Sequence, residues 1–118
     1  MRNHFIYTAM TSANKAKGSS FERAVADYLI ANGFPEADRR YGAGSQFDKG
    51  DIVGVPKFVL ECKNQAKINL AGFIEEALVE AKNANKPYGA AVIKRRGKNV
   101  KDSYVVMTLE QWVDWINL

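Results

Sequence analysis

Apolar side chains recur at three- and four-residue steps in three stretches of the chain, and this spacing predicts helices. The first helix is expected at about 19–32, where Gly33 would end it, and the second at about 70–84. A third should begin at the capping-box pattern Thr108-Leu109-Glu110-Gln111. The inward face of the second helix is predicted to consist of Phe73, Ile74, Ala77, Leu78 and Ala81.

Short runs rich in β-branched residues lie between these helices and predict strands. The runs at 51–55 and 57–63 are separated by Pro56 and should form a hairpin. Further strands are expected near 39–41, 88–94 and 103–107. The resulting order α-β-β-β-α-β-β-α predicts an α/β fold in which helices flank a mixed β-sheet.

The remaining segments have no regular pattern. Residues 1–14 are predicted to form an irregular N-terminal arm, and 15–118 a single domain. The glycine-rich stretch 42–46 should be a loop. Because no stretch is apolar enough to span a membrane and the start is unlike a secretory signal, we expect a cytoplasmic protein without a membrane partner.

Composition narrows the possible chemistry. The 118-residue chain has one cysteine, Cys62, and one histidine, His4, which excludes an internal disulfide and a structural zinc site of the usual four ligands. A metal would therefore be held by oxygen, which favours Mg²⁺ or Mn²⁺, and no organic cofactor is expected. The formal net charge of +4 is compatible with a polyanionic partner but does not require one.

Alternation along the strand predicted at 57–63 brings reactive groups together. Glu61 and Lys63 would share one face, whereas Cys62 would face the core as a small apolar group. Asp51 would lie near them if the hairpin register allows it. Because two close carboxylates favour a divalent cation, we predict metal ligands from Asp51, Glu61 and the backbone carbonyl of Cys62. Lys63 would orient a water or neutralise charge on a phosphate.

Two spaced segments, Gly50-Asp51 and Glu61-Cys62-Lys63, resemble the Asp…Glu-x-Lys signature of the PD-(D/E)xK nuclease superfamily, with glycine where a proline often stands. Upstream, the predicted first helix opens with Lys17-Gly18-Ser19-Ser20-Phe21-Glu22-Arg23, and the loop contains Gly44-Ser45. Together these stretches resemble the archaeal-type Holliday junction resolvases and their viral relatives. The motifs cover roughly 15–64, and the order of elements extends the resemblance to about residue 107.

This resemblance implies a restriction-endonuclease-like fold and a metal-dependent endonuclease that cuts four-way DNA junctions and leaves 5′-phosphates. Glu22 would be a third carboxylate in catalysis and metal binding, beside Asp51, Glu61 and the catalytic Lys63. Ser45 would lie near the scissile phosphate. The cofactor would be Mg²⁺ or Mn²⁺, and the partners would be branched DNA and a second copy of the chain, since two strands must be cut symmetrically. Such a protein would act at the nucleoid, or in the host cytoplasm if it is viral.

Basic and polar residues are predicted to bind the DNA backbone, which positions DNA without reading its sequence. The predicted contacts are Lys15, Lys17, Ser20, Arg39, Arg40, Ser45, Lys49, Gln65, Lys94, Arg95, Arg96 and Lys98. Trp112 and Trp115 are predicted to make core or subunit contacts rather than to stack on bases.

Several alternatives stay open at this point. Ser19 and Glu22 also form a capping-box pattern, which would give Glu22 a structural role. Asp48 is another acid three residues before Asp51, although a solvent-exposed turn pair with Lys49 is the simpler interpretation. The alternative functions are a nuclease for flaps, nicks or linear duplex, a non-catalytic DNA-binding module on the same fold, and a protein-interaction domain.

Overall fold

A computed structural model describes residues 4–39 and 50–118 of the chain, without the side chains of residues 4–15. In this part, three α-helices accompany a five-stranded mixed β-sheet, which confirms the predicted α/β class. The helices are α1 (His4–Ala31), α2 (Leu70–Asn83) and α3 (Leu109–Ile116), and a 3-10 helix spans Val100–Asp102. The strands are β1 (Asp38–Arg39), β2 (Ile52–Val53), β3 (Phe58–Lys63), β4 (Tyr88–Ile93) and β5 (Tyr104–Val106).

The sheet has the strand order β1-β2-β3-β4-β5. Strands β3 and β4 pair in parallel and are joined by α2, whereas the other neighbours are antiparallel. The predicted hairpin is present as β2 and β3, with Ile52 opposite Leu60. Because β3 and β4 are parallel, their carboxyl ends meet at one edge of the sheet, where Lys63 lies opposite Ile93.

Helix α1 is much longer than its amphipathic pattern predicted. It begins at His4, so residues 4–14, which we predicted to be irregular, are helical. This stretch contains the helix formers Ala9, Met10 and Ala13, but its threonine, serine and asparagine residues also favour caps and turns, so the sequence gives no clear helix signal there. Its end is as predicted, because Gly33 has the left-handed φ of 103° that is favoured after a helix. Over the described residues, no helix is both long and apolar enough to cross a membrane.

The two faces of the sheet are covered by different helices. Helix α1 packs on one face through Phe21 and Val25, and α2 packs on the other through Phe73. Cys62 contacts the cluster on the α1 side, whereas the ammonium group of Lys63 lies 5.1 Å from the centre of the Phe73 ring on the α2 side. The alternation predicted for β3 is therefore confirmed.

Helix α2 approaches the sheet closely at Gly89. A Cβ placed on Gly89 would lie 2.2 Å from the carbonyl oxygen of Ala77, so this approach requires glycine. One predicted inward residue is wrong, since Leu78 is exposed. The buried face of α2 consists of Phe73, Ala77, Glu80 and Ala81.

Helix α3 begins where the capping-box pattern predicts. Thr108 Oγ1 accepts a hydrogen bond from the amide of Gln111 (3.2 Å). The side chain of Gln111 does not complete the box, because it accepts from the N–H of Gly89 (2.8 Å) and donates to the Gly89 carbonyl (3.0 Å). This pairing fixes α3 to β4. Trp112 and Trp115 are each about half exposed, so part of each side chain is accessible for the predicted subunit contact.

Candidate metal centre and nucleic-acid interface

A buried acid and a lysine meet on the face of β3 that α2 covers. Lys63 Nζ lies 3.3 Å from Glu61 Oε1, and the two side chains are only 11% and 5% exposed. They are two residues apart on a strand, so the pleat points both toward α2. The pairing agrees with the prediction from the sequence, and it lies at the carboxyl end of β3.

Two further acids reach the same place from α2. Lys63 Nζ donates a hydrogen bond to Glu76 Oε1 (2.7 Å), and Glu80, about one helical turn further along, is buried. One carboxylate oxygen from each of Glu61, Glu76 and Glu80 lies within 4.8 Å of the others, and we refer to these three residues as the acid cluster. Within the described ranges, no other group of three potential ligands comes this close.

Burial dominates the electrostatics of the acid cluster. It raises the pKa of Glu61 to about 12, and the adjacent carboxyl of Glu80 and the charge of Asp51 act in the same direction. Burial alone would lower the pKa of Lys63, but the hydrogen bond to Glu76 and the charge of Glu61 outweigh it and leave that pKa raised. Lys63 therefore stays positively charged, and burial disfavours the ionised form of Glu61.

Asp51 is held against the strand that carries Glu61. Its Oδ2 accepts a hydrogen bond from the amide of Cys62 (2.8 Å), and its own amide donates to the carbonyl of Leu60 (3.0 Å). The charge of Asp51 is close enough to raise the pKa of Glu61. The hairpin thus brings Asp51 near Glu61, as predicted, but not into the acid cluster.

Gly50 stands where the motif often has proline, and the backbone conformation at this position explains the difference. Gly50 has a φ of 96°, whereas a proline ring fixes φ near about −65°. A Cβ on Gly50 would also lie 2.3 Å from Cγ1 of Val59. Proline therefore does not fit before Asp51 in this backbone.

Glu22 lies in the middle of α1, so the capping-box interpretation is wrong, because Ser19 follows fifteen residues of helix and has no helix start to cap. Glu22 Oε1 lies 3.4 Å from Arg39 Nε, which forms an ion pair between α1 and β1. Glu22 is not part of the acid cluster.

Burial, together with the charges of Asp51 and Glu22, raises the pKa of the Cys62 thiol, which agrees with its predicted role in the core.

A basic cleft opens beside Lys63, at the edge where β3 and β4 end. It has a volume of about 600 Å³ and adjoins a recess of about 430 Å³ that reaches Lys63. This position agrees with the rule that ligands of α/β sheets bind outside the carboxyl ends of the strands. The lining of the basic cleft includes Lys17, Asn64, Gln65, Lys94 and Arg96.

The predicted DNA contacts fall in different surroundings. Four of them line the basic cleft, namely Lys17, Gln65, Lys94 and Arg96. Two are exposed outside its lining, Ser20 and Lys98. Two make contacts of their own: Arg39 pairs with Glu22, and Arg95 lies 4.9 Å from the ring centre of Tyr104. The rest lie outside the described residues, as does the alternative acid: the side chain of Lys15, and Arg40, Ser45, Asp48 and Lys49.

Three residues near the site were not predicted, namely Glu76, Glu80 and Asn64. The sequence does contain a signal for Glu80, which follows Phe73 by seven residues and Ala77 by three and so shares their apolar stripe. An acid on a buried stripe needs a hydrogen-bonding, ionic or metal partner. Glu76 and Asn64 have no comparable signal, because their roles depend on how α2 and the end of β3 are placed in the fold.

The chain matches no protein-family model, and no curated protein or solved structure matches it. The resemblance to the PD-(D/E)xK nucleases therefore remains a hypothesis that rests on the motif residues Glu22, Asp51, Glu61 and Lys63.

Proposed function

We propose that the chain is a metal-dependent endonuclease that hydrolyses phosphodiester bonds in branched DNA, with the four-way junction as its substrate. The proposal rests mainly on one observation: Lys63, which is buried against Glu61 and beside the further acids, also lines the recess that adjoins the basic cleft. Phosphodiester hydrolysis uses both features, since cations bind the nucleic-acid backbone and acids hold the metal. A module that only binds DNA has no need of buried acids beside the phosphates.

The residues present suit a hard divalent cation. Glu61 Oε2 is buried and makes no hydrogen bond in the described part of the structure, and carboxylate oxygens are the ligands that Mg²⁺ and Mn²⁺ prefer. Asp51, Glu61 and the backbone carbonyl of Cys62 are the proposed ligands, with Glu22 as a further acid. When bound, such a cation polarises the scissile phosphate and stabilises the charge that develops on it.

Lys63 acts as a fixed positive charge in this proposal. Its pKa is raised and Glu76 holds its ammonium group at 2.7 Å, so it donates hydrogen bonds rather than removing protons. From this position it orients the attacking water or neutralises charge on the phosphate as the water adds to phosphorus. As the water adds and gives up a proton to solvent, the bond between phosphorus and the 3′ oxygen breaks and the 3′ oxygen takes up a proton, which leaves a 3′-hydroxyl and a 5′-phosphate.

We assign the fold to the restriction-endonuclease-like class as part of the same proposal. Its support is the order of elements α1-β1-β2-β3-α2-β4-β5-α3. The arrangement of residues is also as expected for that class, because Asp51 lies beside the β2–β3 hairpin and Glu61 and Lys63 lie on a strand of the parallel pair.

Symmetrical cutting of a junction requires two active sites, so we propose a homodimer. Helix α3 offers a surface for this contact, since an exposed apolar patch on a soluble protein marks an interaction site. Five of its apolar residues are at least 42% exposed: Leu109, Trp112, Val113, Trp115 and Ile116.

Cleavage of labelled DNA tests the proposed function. The full chain is incubated with a four-way junction, a flap and a plain duplex, each with magnesium and with a chelator. We expect cutting only with magnesium, and faster cutting of the junction than of the other two substrates. If no substrate is cut with magnesium, the enzyme proposal fails and a DNA-binding module is favoured instead. If the duplex is cut as fast as the junction, the junction assignment fails and the nuclease assignment stands.

Replacing two positively charged side chains of the basic cleft should weaken DNA binding and make it less dependent on salt. Lys17 and Arg96 line the cleft from α1 and from the turn after β4. In the double variant Lys17→Gln/Arg96→Gln, the slope of log K against log salt concentration should fall by about 1.8, because each phosphate contact contributes about 0.9. Fluorescence anisotropy across a salt series measures this slope.

The matched control is Lys86→Gln, an exposed lysine just before β4 and therefore at the opposite edge of the sheet. It removes one positive charge but no group from the cleft, so the slope should stay as in the wild type. An unchanged slope in the double variant would mean that DNA binds elsewhere on the surface.

A further inference from the structure

We propose that the acid cluster of Glu61, Glu76 and Glu80 is itself the binding site of a divalent metal cation, so that α2 supplies two ligands. Only Glu61 belongs both to this cluster and to the motif-based acids Asp51, Glu61 and Glu22. The inference rests on the proposed function for the class of cation, but its test measures binding and needs no cleavage.

The spacing of the carboxylates fits a cation. One oxygen from each acid lies within 4.8 Å of the others. Two oxygens bound to one ion are at most twice the metal–oxygen distance apart, about 4.2 Å for Mg²⁺ and about 5 Å for Ca²⁺. Small side-chain rotations would therefore close the cluster around an ion. Two of the acids lie on one helix and the third on β3, and regular elements of this kind hold ligands more precisely than loops do.

Burial supplies an independent observation. Glu61 is 4% exposed, and its Oε2 atom makes no hydrogen bond among the residues that the structure describes. The same carboxyl lies within hydrogen-bonding reach of Glu80, so it points into the cluster. Native proteins rarely leave a buried oxygen unsatisfied, and a cation bound in the cluster would satisfy this one.

The charges favour a divalent rather than a monovalent cation. Lys63 contacts Glu61 at 3.3 Å and Glu76 at 2.7 Å, so it offsets one of the three potential negative charges. A divalent cation would offset the other two.

The cluster can be reached from solvent without unfolding. The side chain of Glu76 is 41% exposed. Glu76 and Glu80 also line an open depression of about 370 Å³ on α2, together with Glu75. A hydrated ion can enter there while its remaining ligand positions stay occupied by water.

The alternative is a purely structural pair in which Glu61 and Glu80 share a proton. This would also account for two buried carboxyls that lie close together. The two possibilities differ in their response to metal, because a pair that only shares a proton contributes nothing to cation affinity.

Manganese binding to the metal-free full chain tests the inference in the absence of DNA. During a titration, EPR spectroscopy measures the free Mn²⁺. We expect the wild type to bind Mn²⁺, and the affinity to fall by about tenfold or more in Glu80→Gln and in Glu76→Gln, because even changes behind the ligands cost about 10–100-fold. Glu36→Gln removes the same charge from an exposed position between α1 and β1, away from the cluster, and should leave the affinity almost unchanged.

Folding is checked by circular dichroism and by thermal unfolding without metal. Glutamine has the shape of glutamate and does not need to ionise, so Glu80→Gln should fold. If it does not, Glu76→Gln at its partly exposed position provides the test by itself.

Wild-type protein that binds no Mn²⁺ would overturn the inference, and so would Glu80→Gln and Glu76→Gln variants that bind it as tightly as the wild type. Loss of binding in Asp51→Asn alone would place the ion at the motif residues instead. These failures differ from failure of the proposed function. If the chain binds Mn²⁺ through Glu80 but cuts no DNA, the metal-site proposal stands and the nuclease proposal fails. If the chain cuts DNA and Glu80→Gln changes neither cleavage nor Mn²⁺ affinity, the nuclease proposal stands and the metal-site proposal fails.

Discussion

Glu61→Gln should slow junction cleavage by at least about a hundredfold while junction binding is kept, because loss of one group that stabilises transition-state charge costs about 100- to 1000-fold. Glu61 is the residue at which the lysine, the acid cluster and the charge of Asp51 meet. Glutamine has the same shape but cannot carry the negative charge that holds a cation. Single-turnover cleavage with magnesium measures the rate, and a gel-shift assay in chelator measures junction binding.

The fold should tolerate this change. Lys63 keeps its 2.7 Å hydrogen bond to Glu76, and a buried carboxyl is replaced by a neutral group. The free energy of unfolding should therefore fall by no more than about 1 kcal/mol. Glu36→Gln makes the same substitution at an exposed position between α1 and β1, away from the site and from α3, and should leave cleavage unchanged. A Glu61→Gln protein that cuts at the wild-type rate would show that the reaction does not take place at this end of β3.

The parts of the site that could be predicted from the sequence are those that depend on neighbouring residues. The pleat of a strand determines which residues share a face, so alternation alone predicted that Glu61 and Lys63 are neighbours and that Cys62 packs in the core. Helix ends also depend on a few adjacent residues. Gly33 and Thr108 accordingly mark real boundaries.

The acid cluster could not be predicted in this way, because it depends on how α2 is rotated about its axis. The apolar pattern of α2 allowed a rotation in which Leu78 faces inward and Glu80 faces outward. The structure adopts another, since the close approach at Gly89 places the small side chains of Ala77 and Ala81 over the strand. Glu80 is then turned inward with them. A contact between α2 and β4 thus decides which acids lie beside Glu61.

Glu22 shows the opposite difficulty, in which a local pattern indicates a structure that is not formed. A serine followed three residues later by glutamate is typical of a helix start, but the same spacing also occurs inside helices. Here α1 continues back to His4, so Ser19 lies inside a helix rather than at its start. The residue that the pattern assigned to a cap is in fact an ion-pair partner of Arg39.

Gly89→Ala should lower the free energy of unfolding by about 2–3 kcal/mol, the upper part of the range for overpacking, and should also weaken Mn²⁺ binding. The added Cβ would lie 2.2 Å from the carbonyl oxygen of Ala77, a backbone atom that cannot rotate away. Strand β4 cannot retreat easily, because Gln111 holds both the N–H and the carbonyl of Gly89. Helix α2 must then move outward, which carries Glu80 away from Glu61. Urea denaturation measures the stability, and the EPR titration measures the Mn²⁺ affinity.

Gly18→Ala provides the matched control for Gly89→Ala. Open space surrounds Gly18 within α1, so the same substitution should raise the stability by up to about 1 kcal/mol through helix propensity. A Gly89→Ala protein as stable as the wild type would show that α2 does not approach the sheet this closely. A destabilised protein with unchanged Mn²⁺ affinity would show instead that the ion does not depend on α2. The basic cleft is formed mainly by α1 and the residues after β3 and β4, so DNA affinity should persist while metal affinity falls.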